Sequence, residues 1–171
     1  MYENSEVKPA DLLDELQKIL SQTVYEVHRA GDGSEEYQYL TEDDVCITIQ
    51  NPYQDKKLYI DLTEEFTLTY SGFHCHYEPE LTEYQELLSD VQGILNNEIC
   101  SAVLYYIDQG KRWLGSTGSS KAELSQPVKD IFYFVYKQAE FRKKLKEYGG
   151  KAEFCFWNPQ EDFSIDIPKR L

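Results

Sequence analysis

The chain has 171 residues, 31 of them Asp or Glu against 17 Lys or Arg, for a net charge of −14 with histidine neutral. Such a field repels nucleic acid and anionic membrane and attracts cationic partners through forces that salt weakens, so neither nucleic acid nor a membrane is expected as a partner. With 41% hydrophobic and 14% aromatic residues the composition excludes an intrinsically disordered chain, and the length fits a single domain spanning 1–171.

The charge is uneven. Residues 1–100 hold 22 acids and 5 bases, net −17, whereas residues 101–171 hold 9 acids and 12 bases, net +3. No apolar run is long enough to cross a bilayer. The N-terminal MYENSEVKPADLLDELQ has acids where a signal peptide needs a basic and then an apolar stretch, so a cytoplasmic protein is expected.

In chain order, Pro9 to Gln22 place Leu12, Leu13, Leu16, Ile19 and Leu20 three and four residues apart, with proline in the first turn, the pattern of an amphipathic helix. Thr23 to Arg29 turn β-like, and GDGSEEY follows as a loop. Val45–Gln50, Lys57–Leu62 and Glu65–Tyr70 are β-branched or aromatic and alternate in polarity, which predicts an antiparallel meander. The alternation continues through Phe73–Glu78 (FHCHYE) and ends at Pro79, with Phe73, Cys75 and Tyr77 on one face and His74 and His76 on the other.

Thr82 and Gln85 have capping-box spacing for a helix running to Asn97, with Tyr84, Leu87, Leu88, Val91, Ile94 and Leu95 as its stripe. Gly93 weakens that helix unless another element packs closely on it. Ile99–Ile107 and Lys111–Ser116 flank DQG as a hairpin, and STGSSKAELSQ reads as a polar loop. Pro127 opens a predicted long helix to Tyr148, ended by Gly149 and Gly150. Ala152–Trp157 and Phe163–Ile167 form a terminal hairpin. This order predicts an α+β fold, a mostly antiparallel sheet of about six to eight strands packed by three helices.

Chemistry is sparsely signalled. His74 and His76 project to one side of a strand and could share a metal ion, yet a site needs a third group such as His28, Glu78 or Asp61. The plainer reading is two strand residues hydrogen-bonded to their neighbours. Cys46, Cys75, Cys100 and Cys155 form no CxxC and read as buried, reduced thiols. Gly115–Ser120 matches a phosphate loop in composition alone, and no catalytic motif is present, so neither a catalytic residue nor a cofactor or metal is expected. The acidic runs are Glu35 and Glu36, then Glu42, Asp43 and Asp44, then Asp61, Glu64 and Glu65, and a last one from Glu78 to Glu86. Each would ordinarily be solvated, but their confinement to one part of the chain fits a cation-seeking surface. Trp113 and Trp157 lie on predicted strands, where an aromatic residue is more often core than contact surface, but Arg112 next to Trp113 makes that pair a hot-spot candidate.

The segment Asp61–Tyr77 (DLTEEFTLTYSGFHCHY), the helix Glu83–Asn97 and the strand-turn KRWLGS resemble small uncharacterised bacterial domains, including immunity proteins of polymorphic toxin systems. The resemblance covers about a third of the chain. It implies an acidic cytoplasmic α+β domain that binds and blocks a cognate toxin, often a basic nuclease, and it implies no catalytic residues. His74, His76, Tyr77 and Trp113 match its motif positions.

The expectation is therefore a non-enzymatic protein that binds a basic protein partner, a toxin if the resemblance holds. The residues expected at its surface are Glu35, Glu36, Glu42, Asp43, Asp44, Glu64, Glu65, His74, His76, Tyr77, Arg112 and Trp113. A metal-dependent enzyme using His74 and His76 and a housekeeping domain without a cationic partner are the alternatives.

Overall fold

Alternating side chains organise the first part of the chain. In a computed structural model, which describes residues 9–169, five strands pair in sequence order into one antiparallel sheet: β1 (Tyr25–Arg29), β2 (Val45–Gln50), β3 (Lys57–Leu62), β4 (Phe66–Tyr70) and β5 (Phe73–Tyr77). The acid-bearing residues 1–8, on which part of the leader argument rests, lie outside the described residues.

The register aligns Ile47, Ile60, Leu68 and Cys75 across one face, and Cys46, Asp61, Thr67 and His76 across the other. On the first face Ile47, Ile49, Leu58, Ile60, Leu62, Phe66, Leu68 and Tyr70 are fully buried. Burying each such side chain stabilises the fold by about 1.5–3 kcal/mol relative to leaving it in water.

Helix α1 (Pro9–Ile19) ends in a 3-10 turn, Leu20–Gln22, and of the predicted stripe Leu12, Leu13, Leu16 and Leu20 are buried while Ile19 is half-buried. Helix α2 (Leu81–Leu95) buries Tyr84, Leu87 and Val91. Tyr84 meets Phe66 edge-on at 6.3 Å between ring centroids and donates its hydroxyl to the Leu12 carbonyl at 2.7 Å, linking sheet, α2 and α1. The helix starts at Leu81 rather than after a Thr82 cap, because the Tyr84 N–H already bonds the Glu80 carbonyl at 2.9 Å.

The chain divides into two compact units, Met1–Gln92 and Gly93–Leu171, with the division inside α2. In the second unit the last turn of α2 closes on Asn97, whose positive φ of 59° lets Glu98 N–H reach the Gly93 carbonyl at 2.7 Å and Asn97 N–H the Ile94 carbonyl at 3.0 Å. This Schellman-type ending explains Gly93 as well. A Cβ there would stand 2.6 Å from Cδ1 of Ile99, so the glycine makes room for the first residue of the next strand.

That strand, β6 (Ile99–Ile107), pairs with β7 (Lys111–Ser120) on one side and β8 (Gly150–Cys155) on the other, and β9 (Phe163–Ile167) completes an antiparallel sheet in the order β7-β6-β8-β9. The fold class is α+β as expected, with nine strands among the described residues divided between two sheets. The polar segment Thr117–Ser120, expected in a loop, continues β7 instead, because Thr117, Gly118, Ser119 and Ser120 pair with Ala102, Ser101, Cys100 and Ile99.

The expected long helix over 127–148 is three pieces: α3 (Val128–Ile131), α4 (Tyr133–Tyr136) and α5 (Ala139–Tyr148). Phe132 leaves helical geometry at ψ 35° and Gln138 at ψ 117°. The run Ile131–Tyr136 is wholly β-branched or aromatic, and each such residue costs a helix several tenths of a kcal/mol, so little resists a break. The freed Tyr136 and Lys137 carbonyls accept from Nη1 of Arg142 at 2.5 and 3.0 Å. In return Phe132, Val135 and Leu145 all reach a core with Ala102, Leu104, Ala152 and Phe154.

The broken segment comes so close to the sheet that only glycine fits at position 115, where a Cβ would lie 2.7 Å from Cγ2 of buried Val135. Gly115→Ala should therefore lower unfolding stability by about 1–3 kcal/mol, the usual cost of overpacking, measured by chemical denaturation. An unchanged midpoint would contradict this close approach.

Candidate acidic binding face

The polar side of the five-stranded sheet is built by the same alternation that builds the core. Each residue facing outward sits between two facing inward, so the outer rows read Glu26, Thr48, Tyr59, Thr69, His74 and His28, Cys46, Asp61, Thr67, His76. The loop 30–44 covers the β1–β2 end of this face. There Tyr37 stacks on His28 at 3.8 Å, shares a 3.2 Å hydrogen bond with Thr48 and joins Leu40 and Cys46 in a small buried cluster. His28 Nδ1 lies 3.0 Å from Asp32, which pins the loop's start. Toward β5 the face opens, and His74 and His76 are exposed.

Where the covering loop stops, Tyr39, Thr41, Asp44, Asp61, Thr63, Glu64 and Thr67 line a shallow pocket of about 390 Å³. Three carboxylates and three threonines stand here, and no cation is among the lining residues. Asp61 accepts from the Tyr39 hydroxyl at 2.5 Å and the Thr67 hydroxyl at 3.3 Å, while Asp44 accepts from the Thr41 N–H at 2.7 Å. Burial, and then the hydrogen bond to Asp61, push the Tyr39 hydroxyl's pKa up, so it stays a donor. Burial, and then the Asp61 charge, push the Cys46 thiol up to about 12, so it is no nucleophile at neutral pH.

Beside this pocket His76 Nδ1 donates to the Glu65 carboxylate at 2.8 Å, and His74 Nδ1 shares a 2.7 Å hydrogen bond with Thr69, its cross-strand partner. The two rings meet edge-on at 4.4 Å. Among the described residues no group of three or more His, Cys, Asp or Glu side chains is arranged to hold a metal ion. The pair thus offers two imidazoles, where a catalytic zinc site uses three protein ligands.

Of the residues expected at the surface, Glu64 is exposed at the pocket, whereas Asp44 lines it but is buried, its carboxylate taken up by the Thr41 N–H; Glu65, His74 and His76 stand on the open end of the same face. Glu42 and Asp43 are exposed in the turn that carries Asp44, and Glu35 and Glu36 are exposed on a 3-10 turn of the covering loop. Tyr77 points the other way: it is 4% exposed and donates to Asp90 at 2.6 Å, a core residue anchoring α2. Arg112 and Trp113 are exposed on β7, which belongs to the second unit. Sequence reading missed Tyr39, Thr41, Thr63 and Thr67. Strand alternation places Thr67 and Thr69 with His74 and His76, but nothing local announces that Tyr39 reaches Asp61, 22 positions on.

No family model matches the sequence, and no curated protein or solved structure matches it. No helix among the described residues is long and apolar enough to cross a membrane.

All four cysteines are free, Cys46 and Cys100 buried and Cys75 and Cys155 partly so, and Cys100 is also pushed up to about 12, by burial first. A raised thiol pKa means the folded state holds a proton that the unfolded state releases above its own value of 9.0. Stability should accordingly fall as pH rises from about 9 toward 12, by at most about 1.4 kcal/mol per pH unit for each thiol. Denaturation midpoints across that range check the sign. A thiol reagent at pH 8 should modify Cys46 and Cys100 only once the chain is unfolded.

Proposed function

We propose that the chain is a non-enzymatic binding protein whose acidic outer face receives a basic protein partner, a toxin in the family that the sequence resembles. The observation that carries this reading is the pocket of Asp44, Asp61 and Glu64, with no cation in its lining, on the half of the polar face that the loop leaves uncovered. A Lys or Arg side chain entering it would meet the Asp61 and Glu64 carboxylates, with buried Asp44 adding its charge, and Asp61 and Asp44 are already oriented by Tyr39, Thr67 and Thr41. Charge-assisted hydrogen bonds made to preoriented acceptors are stronger than neutral ones and fix geometry.

The wider field supports the encounter. The first unit carries 21 acids and 5 bases, net −16, against 10 acids and 12 bases in the second. An imbalance on that scale speeds association with a cationic surface at low salt, while the central contacts govern how long the complex lasts. Exposed His74 and half-buried Tyr59 would add ring contacts beside the pocket. Four free thiols suit a reducing compartment, in keeping with a cytoplasmic site of action.

Affinity capture with the purified chain should retain a partner of basic isoelectric point, released as salt rises. Reversing the exposed acids together (Glu42→Lys, Asp43→Lys, Glu64→Lys) should weaken that binding at least about tenfold, roughly 1.4 kcal/mol, and leave the denaturation midpoint in place. A partner that is acidic, or indifferent to the reversal, contradicts the proposal.

A further inference from the structure

The second unit presents an interaction surface of opposite character, on evidence independent of the acidic face. Its sheet has two edges, and they are built differently. The β7 edge starts with Lys111 and Arg112, and its pairing with β6 shifts register at Leu104/Tyr105, the charged and bulged form by which edges resist further pairing. Strand β9, Phe-Ser-Ile-Asp-Ile, pairs with β8 through five positions without a shift and contains neither lysine nor proline. Phe163 and Ile165 are 40% and 39% exposed. Among the described residues, the backbone of Phe163–Ile167 makes no hydrogen bond outside the β8–β9 ladder.

Beside this open edge lies a groove of about 540 Å³. Ile165 and Ile167 form its strand wall, Val128, Tyr136 and Leu145 its helix wall, and Lys129, Arg142 and Lys146 bring three cations. Arg142 is held in place by its bonds to the Tyr136 and Lys137 carbonyls. The one acid in the lining, Asp166, alternates to the other face of β9, opposite Lys151.

We infer that β9 accepts an additional strand: an extended segment of a partner protein with alternating apolar and acidic side chains. Main-chain hydrogen bonds to β9 would supply affinity, and every second side chain, the acidic set, would enter the groove between β9 and the helices, laying its methylenes along Ile165 and Ile167 and its carboxylates against the cations, while the apolar set faces the other side of the sheet. The cations select the charge of the guest, because a lysine-bearing strand would meet Lys129, Arg142 and Lys146, whereas glutamates would pair with them.

The test uses the full chain and two synthetic eight-residue peptides, one alternating valine with glutamate and one alternating valine with lysine. Titration followed by backbone amide NMR should show the glutamate peptide shifting and slowing exchange of the Phe163–Ile167 amides. The lysine peptide should bind at least about tenfold more weakly. Lys129→Glu with Lys146→Glu should reduce binding of the glutamate peptide at least about tenfold, and Lys129→Gln with Lys146→Gln provides the same reading if the reversals alter the denaturation midpoint. The inference is overturned if the glutamate peptide leaves the β9 amides unchanged, or if both peptides bind alike. It is equally overturned if those amides gain protection with the chain's own concentration alone, which would assign the edge to a second copy. None of these results bears on the acidic face, which the β9 peptides do not probe.

Discussion

The cross-strand register of β3, β4 and β5 is the constraint on which the first unit depends. Ser71 and Gly72 both take positive φ, 47° and 88°, the geometry of a two-residue hairpin turn whose twist matches that of the strands. That turn sets Tyr70 opposite Phe73, and every later pair follows, down to Phe66 opposite Tyr77. A slip of one residue would carry Phe66, Leu68 and Tyr70 to the solvent side and bury Thr67, Thr69 and the two histidines. One geometric choice therefore creates both the core under α2 and the polar face above it.

The acidic pocket inherits its order from that framework. Asp61 belongs to β3, Thr67 to β4 and Tyr39 to the covering loop, so a rigid sheet and a local loop converge on one carboxylate. Clustered negative charge raises the folded state's own electrostatic energy, and the hydrogen bonds to Asp44 and Asp61 offset part of that cost. A cationic partner would offset more. The second unit solves a different problem, bringing three short helices onto a sheet whose two edges carry unlike protection.

Much of this was legible in the sequence, for identifiable reasons. Period-two alternation marks β2 to β5 within a residue of their ends, because an apolar row facing the core and a more polar row facing away leave that pattern even in β2, whose outer side the loop covers. The 127–148 segment reads as one helix because its apolar stripe is continuous, while the breaks at Phe132 and Gln138 follow from tertiary packing against Gly115 and from Arg142 capping carbonyls upstream of it. Ser and Thr at 116–120 look like a loop until their pairing with β6 is known. Within the site, acids adjacent in sequence group readily, and Tyr77, expected at the surface, lies inside as its own alternation with Phe73 and Cys75 dictates. The pocket itself joins residues 39 to 67, a convergence made by loop closure that local pattern does not encode.

The central claim is that the partner binds the open polar face of β3 to β5. Hydrogen–deuterium exchange of the chain with and without its captured partner tests it most directly. The account predicts slower exchange in 39–44 and 59–69 and along β5, weakening as ionic strength rises. Protection confined to the second unit, or protection at the acidic face that salt leaves unchanged, would contradict it.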